Sequence, residues 1–278
     1  MGTTGWSIQM EYTGLALSSI FGKLFDFFGM IKETISYYNN KSSSIYMCML
    51  DASKAFDRVD LVVLFQKLFY RGMCPVLLKL LIKIYVDQSM RVTWNGSFSS
   101  LFSVSNGVKQ GGVLSPILFN IYVEDIVISL KKYSVGCHVS GMYCGIFTYA
   151  DDITLLSPSS SGLNFMLKMC EEYAKTRSIL FNSSKTKCMF FGKNANISPN
   201  PVIFMDTKLS FIDECVLLGI PLSTSMNINI TGSVNSFYVK SNSVLRDFNL
   251  LPCDVKFSLL STYCMDANYG YCRHVDQL

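Results

Sequence analysis

The feature that most constrains this sequence is a pair of adjacent aspartates between two short runs of β-forming residues. Residues 147–156 are FTYADDITLL, with Asp151 and Asp152 in the middle. This pattern predicts a β-hairpin with both carboxylates at its tip. Neighbouring carboxylates repel each other, and a hard divalent cation such as Mg²⁺ relieves that repulsion. The alternative is an ordinary turn in which both aspartates are solvated and bind no ligand.

Composition narrows the class of protein. The chain has 278 residues, of which 50% are hydrophobic and 16% charged, so it predicts one large or two modest folded domains. The formal net charge of +4 is compatible with a nucleic-acid partner but too small to argue for one. Ten scattered cysteines without a Cys-x-x-Cys pair argue against a zinc site and favour free thiols in a reducing compartment. Neither a signal peptide nor a transmembrane segment is evident, which predicts an intracellular protein.

A third acidic residue follows an apolar run earlier in the chain. Residues Ile45–Leu50 are nearly all apolar, which predicts a strand covered on both faces, and Asp51 comes directly after them. Helical spacing, caps and turn dipeptides predict the elements that follow. They are a helix from N-cap Asp60 to Gly72, a helix from Pro75, a hairpin turn at Asn95-Gly96, a helix capped by Ser115 with Pro116 at its first position, a helix from Ser161, and a strand at Lys187–Phe191.

This order of elements predicts an α+β fold with a split βαβ sheet and helices on one face. In such a sheet the end of the Ile45–Leu50 strand lies beside the tip of the acidic hairpin. Asp51 is therefore predicted to face Asp151 and Asp152, and three carboxylates at one sheet edge suit a two-metal site for phosphoryl transfer.

Three segments together resemble the palm motifs of reverse transcriptases of non-LTR, LINE-type retrotransposons. They are residues 51–59 (DASKAFDRV), 107–116 (GVKQGGVLSP) and 149–152 (YADD). Residues 181–187 (FNSSKTK) resemble the next palm motif, and residues 217–220 (LLGI) resemble the primer-grip hairpin. The resemblance covers about residues 46–222 in the family's order and spacing.

The resemblance implies a polymerase right hand. Its palm, a ferredoxin-like antiparallel sheet with helices on one face, is expected over residues 45–222, with inserted fingers elements at about 72–106. Residues 1–44 are expected to form a partial fingers region, and residues 223–278 a partial helical thumb.

The implied activity is RNA-directed DNA polymerisation, the addition of deoxynucleotides to a primer 3′-hydroxyl. The expected partners are an RNA template, a DNA primer and deoxynucleoside triphosphates, with no membrane. The expected cofactor is a pair of Mg²⁺ ions, with Mn²⁺ as a substitute. By resemblance Asp51, Asp151 and Asp152 are the catalytic acids, and together with the Ala52 carbonyl they are the metal ligands.

Five further residues match substrate-binding positions of the family. Phe56 matches the gate against a sugar 2′-hydroxyl, Gln110 and Gly111 the loop against the templating base, Tyr149 a contact to the primer end, and Lys185 a contact to the leaving pyrophosphate. Simpler interpretations stay open: core packing for Phe56, a turn before a helix for Gln110-Gly111, and a solvated cation for Lys185.

Two other functions are compatible with parts of the sequence. The first is a catalytically inactive remnant of a mobile element with weak or no nucleic-acid binding, because the fingers and thumb regions are short. The second is a metal-dependent nucleotidyl cyclase, which explains the carboxylates but not the Gln110-Gly111 loop or the Lys185 segment. The sequence does not indicate an oligomeric state.

Overall fold

The structure is a computed structural model that describes residues 20–149, 151–177, 179–192, 199–218, 220–225, 231–248, 251–252 and 255–256. The chain divides into two units, one of Thr34–Phe211 and one of Met1–Glu33 with Ile212–Leu278. All of the candidate site residues fall in the first unit.

The first unit alternates helices and strands. Helix α1 (Ile20–Asn40) enters it at Thr34 and is followed by β1 (Ile45–Leu50), a 3₁₀ turn (Phe56–Arg58), α2 (Leu61–Tyr70) and α3 (Pro75–Val86). Four two-residue strands follow, β2 (Ser89–Met90), β3 (Thr93–Trp94), β4 (Ser97–Phe98) and β5 (Phe102–Ser103). The rest are α4 (Ser115–Tyr133), β6 (His138–Val139), β7 (Met142–Tyr143), β8 (Ile146–Tyr149), β9 (Asp152–Ser157), α5 (Ser160–Arg177), β10 (Lys187–Phe191), β11 (Ile203–Phe204) and β12 (Thr207–Lys208).

The central sheet has four strands in the order β10-β1-β9-β8, and each neighbouring pair is antiparallel. Strand β1 lies in the interior of the sheet, between β9 and β10. Ile45, Met47 and Cys48 are fully buried, which confirms the prediction that β1 is covered on both faces. Asp51 therefore leaves the sheet at the end of an interior strand.

One face of the sheet packs on helices α2, α4 and α5. Cys48 on β1 and Leu155 on β9 belong to the same buried core as Leu64, Tyr122 and Leu167, which lie on the three helices in that order. The opposite face is buried as well, through Ile45, Met47 and other side chains. The sheet thus holds the ends of β1 and β9 in a fixed relation, because both strands are anchored from above and below.

A polar network ties the same three helices together. The Lys67 ammonium on α2 lies 2.7 Å from Asp125 on α4 and donates a 2.6 Å hydrogen bond to the carbonyl of Tyr122. Arg177, the last residue of α5, contacts the same Asp125 carboxylate at 2.8 Å. Burial lowers the pKa of Lys67, and the hydrogen bond to Asp125 opposes that shift.

The helix boundaries agree with the predicted caps in one case and differ in another. The Asp60 carboxylate accepts hydrogen bonds from the backbone N–H groups of Val62 and Val63, so the predicted N-cap of α2 is confirmed. The prediction for Ser115 was wrong. Leu114 holds the cap position of α4, and the Ser115 hydroxyl instead donates a 2.5 Å hydrogen bond to the carbonyl of Lys109. The preceding loop folds back on α4, and its Lys109 carbonyl accepts the hydrogen bond of the Ser115 hydroxyl, which therefore does not cap the helix.

The second unit contains a hairpin of β13 (Glu214–Leu217) and β14 (Ile220–Ser223), followed by helix α6 (Thr231–Asp247). Leu217 pairs with Ile220 in this hairpin, and Leu218 has a φ of 53°. None of the helices in the described ranges combines the length and apolarity that crossing a membrane requires.

Candidate active site

The three candidate acids lie at one edge of the central sheet. Leu50 pairs with Ile153 at the end of the β1–β9 register, and Asp51 and Asp152 are the next residues of the two segments. Tyr149 pairs with Asp152 in the β8–β9 hairpin, and Asp151 lies in the turn directly before Asp152. Asp151 is thus at the hairpin tip, as the sequence predicts. Asp51 follows β1, the strand that pairs with β9 of the hairpin.

The acids interact through their charges. The pKa of Asp152 lies above its ordinary value, first because the surrounding protein displaces water and then because Asp151 and Asp51 add negative charge. Asp51 is half-buried, whereas Asp151 and Asp152 keep exposed side chains. The pKa of Asp152 is therefore affected by both other carboxylates, including that of Asp51, which directly follows β1.

These oxygens form a donor set suited to a hard divalent cation, although they are not drawn together at ligand spacing. Within the described ranges, no group of three or more His, Cys, Asp or Glu side chains is arranged closely enough to hold a metal ion. Burial is the main cause of the raised pKa of Asp152, and the negative charges of Asp151 and Asp51 add to it; a cation between the acids would offset that added part.

A turn beside β1 fixes the backbone of Asp51. Ala52 forms an antiparallel bridge with Phe181, in which Ser53 donates to the carbonyl of Leu180 at 2.8 Å and Asn182 donates to that of Asp51 at 2.9 Å. Neither bond uses the Ala52 carbonyl, the additional metal ligand implied by the resemblance. The bridge therefore holds the chain on both sides of Ala52 without occupying its oxygen.

Lys185 lies in the turn that follows this bridge. The Asn182 side-chain oxygen accepts hydrogen bonds from the backbone N–H groups of Ser184 and Lys185, at 3.0 and 3.3 Å, and so closes an Asx turn. Thr186, which is buried, donates its hydroxyl to the Asn182 carbonyl at 2.9 Å. The Lys185 side chain is exposed. Sequence reasoning assigned no role to Asn182 or Thr186, although the Asn-Ser-Ser triplet is a turn signal.

Phe56 occupies a position compatible with both of its predicted roles. Its ring packs on Phe119 of α4, with ring centroids 5.0 Å apart, and joins the rim of the core. The residue is only half-buried, so part of it still faces outward. The structure thus shows the packing role, and the gate role stays a prediction.

The glycine-rich loop docks on the 3₁₀ turn that contains Phe56. Gly107 donates to the carbonyl of Val59 at 2.9 Å, and Val108 donates to that of Phe56 at 2.8 Å. Gly107 has a φ of +90°, and a Cβ there would lie 2.8 Å from the backbone oxygen of Asp57. Glycine is required because only it allows this approach at this φ. Gly107 was not among the predicted site residues, and its close approach to a distant segment leaves no local sequence signal.

The docked loop presents two of the predicted substrate contacts to solvent. Gln110 and Gly111 are both exposed, and Gly111 has a φ of +76° with open space around its Cα. The turn is closed by a 3.0 Å hydrogen bond from Gly112 to the carbonyl of Lys109. The turn interpretation is therefore observed, and it leaves the exposed backbone and amide available to a ligand.

Tyr149 is the last residue of β8 and the cross-strand partner of Asp152. It is half-buried, and burial raises the pKa of its hydroxyl. The site thus has an aromatic ring next to the acids, held by the same hairpin.

Comparison with known proteins decides the family. The family model described as reverse transcriptase (RNA-dependent DNA polymerase) matches residues 15–232. The chain belongs to the reverse transcriptase family. This reverse transcriptase is 29% identical over 226 residues to the RNA-directed DNA polymerase from mobile element jockey of Drosophila funebris, a match that covers 76% of this chain and 24% of that protein. The predicted relationship to polymerases of mobile elements is confirmed.

Further relatives are also proteins of mobile elements. The Pol polyprotein from type-2 retrotransposable element R2DM of Drosophila melanogaster is 28% identical over 142 residues, or 51% of this reverse transcriptase and 13% of that protein. The transposon TX1 149 kDa protein of Xenopus laevis is 28% identical over 171 residues, or 61% of this chain and 13% of that protein. The chain thus spans about a quarter or less of the length of these relatives.

Solved structures agree on the fold. Apo telomerase from Candida Tropicalis, truncated from its C-terminal domain, superposes with a TM-score of 0.51 at 14% identity, covering 77% of this chain and 40% of that one. Telomerase from Candida albicans with a TWJ fragment of telomeric RNA gives a TM-score of 0.50 at 14% identity, covering 94% of this chain and 46% of that one. A mixed helix-and-sheet fold like that of telomerase is therefore confirmed for this reverse transcriptase.

Proposed function

We propose that this chain contains the nucleotidyl-transfer site of an RNA-directed DNA polymerase, which adds deoxynucleotides to a primer 3′-hydroxyl on an RNA template. The main support is that Asp51 directly follows Leu50, whose partner Ile153 directly follows Asp152, with Asp151 next in the chain. Two acids from the hairpin and one from a separate strand meet at one sheet edge, and their charges interact. A template RNA and a DNA primer are available to such a protein in the nucleus or cytoplasm.

The sheet topology supports assigning residues 45–222 to a polymerase palm. Strand order β10-β1-β9-β8, with helices between β1 and β8 and helix α5 between β9 and β10, is the order of a split βαβ sheet. On this assignment α3 and β2–β5, within residues 72–106, are fingers elements inserted into the palm. Residues 1–44 belong to the fingers, and α6, within residues 223–278, belongs to the thumb.

The donor set fits Mg²⁺, with Mn²⁺ as a substitute. Asp51, Asp151 and Asp152, with the Ala52 carbonyl, are the residues that would hold two such ions. When bound, the ions neutralise charge on the triphosphate and activate the primer hydroxyl. The protein's own contribution is to hold carboxylates from two strands at a fixed separation, which the buried sheet beneath them achieves.

The remaining residues would orient the substrates around this edge. Gln110 and Gly111 present an exposed turn to the template and incoming nucleotide, and Phe56 on the adjoining turn would limit the space at the sugar 2′ position. Tyr149 offers a ring to the primer end. Lys185, on the turn bonded to Asp51, would place a positive charge near the leaving pyrophosphate.

Primer extension tests the proposal. The wild-type chain is incubated with a labelled DNA primer on an RNA template, Mg²⁺ and deoxynucleotides, beside the Asp151→Asn variant. Asp206→Asn is the matched control, because Asp206 is an exposed aspartate in the turn between β11 and β12. We expect extension by the wild type and by Asp206→Asn, and a loss of at least about 10³-fold for Asp151→Asn, since a metal ligand is removed. Equal extension by all three proteins, or none by any, contradicts the proposal, and the second result favours an inactive remnant.

A further inference from the structure

A two-stranded ribbon projects from the first unit between α3 and the glycine-rich loop. Strand β2 pairs with β5, and β3 pairs with β4, so residues 89–103 form two short antiparallel pairs in succession, with the register shifted by one residue between them. Every residue of this ribbon is exposed. Asn95 and Gly96 have φ values of 45° and 79°, which gives the tight hairpin turn that the Asn-Gly dipeptide predicts.

The ribbon has aromatic rings on both of its faces. Trp94 is 82% exposed and Phe98 is 59% exposed. Phe98 pairs with Thr93, whereas Trp94 pairs with Ser97, so the two rings lie on opposite faces. The Arg91 guanidinium lies 4.0 Å from the centre of the Phe98 ring. A soluble surface rarely presents a whole tryptophan, and the arginine stacked on Phe98 already shows that this ring accepts a planar cationic group.

The net positive charge of the sequence falls in the segment that contains this ribbon. Between α2 and α4, residues 71–114 contain five basic residues and one acidic residue. This excess equals the formal net charge of +4 of the whole sequence, so the rest of the chain is balanced. Within this fully described segment, Lys79, Lys83, Arg91 and Lys109 make no ion pair, whereas Arg71 pairs with Glu124. The segment therefore has cations available to a polyanion.

We propose that the ribbon of residues 89–103 binds single-stranded nucleic acid. Unpaired bases would stack on Trp94 and on the Phe98–Arg91 pair, and the basic side chains would contact the phosphates. An apolar protein partner is the weaker alternative, because it does not account for the local excess of unpaired cations. The identity of the bound strand rests on the proposed function. Ser103 lies four residues before Gly107, which limits the distance between them to about 14 Å along the chain. We therefore infer that the bound strand is the unpaired RNA template.

Fluorescence titration tests this surface. The sequence has two tryptophans, so Trp6→Phe leaves Trp94 as the only one. An oligo-uridine of about 20 nucleotides, enough for several stacked bases, is added in EDTA without primer or nucleotides. We expect quenching of Trp94 fluorescence. A parallel anisotropy titration uses labelled oligo-uridine. Trp94→Ala should bind it about tenfold more weakly than the wild type does. Arg91→Gln should lower the magnitude of the slope of log affinity against log salt concentration by about 0.7.

A control variant separates the loss of base stacking on the ribbon from the loss of an exposed aromatic side chain elsewhere. Tyr133 is 59% exposed at the last position of α4, the end of that helix far from the glycine-rich loop, so Tyr133→Ala should bind like the wild type. Oligo-uridine binding in EDTA is measured for the wild type whether or not it extends a primer in Mg²⁺. The ribbon and the proposed polymerase activity can therefore fail separately.

Two results overturn the proposal. One is unchanged oligo-uridine affinity for a folded Trp94→Ala variant. The other is self-association that depends on Trp94 in light scattering, without oligo-uridine binding, which would make the ribbon a protein interface.

Discussion

The backbone N–H of Asn182 donates a 2.9 Å hydrogen bond to the carbonyl oxygen of Asp51. The Asp51 N–H in turn faces the Thr186 hydroxyl at 3.4 Å, and that hydroxyl donates to the Asn182 carbonyl at 2.9 Å. Both backbone groups of Asp51 are thus held by one turn, which also contains Lys185. A candidate metal ligand and a candidate phosphate contact are therefore positioned by the same few hydrogen bonds.

Thr186 is expected to position Asp51. Thr186→Val keeps a similar shape but removes the hydroxyl, which leaves the Asn182 carbonyl and the Asp51 N–H without this partner. We expect primer extension to fall about tenfold and unfolding to become easier by about 1 kcal/mol. The Mg²⁺ concentration for half-maximal extension should rise, because a displaced carboxylate binds the ion less well. Thr186→Ser should restore both properties, and an unchanged Mg²⁺ dependence in Thr186→Val would show that Thr186 serves stability alone.

Gly107 is expected to be intolerant of any side chain. Gly107→Ala combines an unfavourable positive φ with a contact of 2.8 Å to the Asp57 backbone. Gly72 is the matched control, since its φ is +74° but nothing lies within 4 Å of its added Cβ. We expect Gly72→Ala to cost about 1 kcal/mol in urea unfolding, from φ alone. Gly107→Ala should cost at least about 1 kcal/mol more, because the backbone of Asp57 must move. Equal costs for the two variants would contradict the observed docking of the loop.

Buried thiols predict a loss of stability at high pH. Burial, with a smaller effect of Glu171, raises the pKa of Cys170 from 9.0 to about 12. Above pH 9.0 the unfolded chain releases this proton while the folded chain retains it, so unfolding becomes more favourable as pH rises. Between pH 9.0 and about pH 10.5 this single group should remove about 1.5 kcal/mol of stability.

Comparison with Cys170→Ala isolates this contribution, because all other titrating groups are shared by the two proteins. The variant should be less stable near neutral pH, since a buried side chain is shortened. The difference in free energy of unfolding should then narrow by about 1.5 kcal/mol over the same pH interval. A difference that stays constant with pH would show that Cys170 is not held protonated by burial.

Much of the local structure follows from sequence because its causes are local. The Asp60 cap, the Asn95-Gly96 turn and the bounds of β1 and β10 depend on neighbouring residues, and they agree with prediction. Ser115 shows the limit. Its sequence context favours a cap, but a loop that returns to the helix offers the Lys109 carbonyl as a partner, and that loop is placed by contacts with the distant 3₁₀ turn.

The sequence by itself determined the family and the three candidate acids. The motifs around Asp51 and Asp151-Asp152 are short runs of consecutive residues, so they can be recognised without knowing how the chain folds. Only the tertiary structure decided how those acids are held. It placed Asp51 directly after the last pair of the β1–β9 register, Leu50 with Ile153, and bonded Asp51 to the Asn182 turn. It also seated Gly107 against Asp57. Each of these contacts joins segments far apart in the chain, and their geometry is fixed by packing of the whole sheet and its helices rather than by any neighbouring residue.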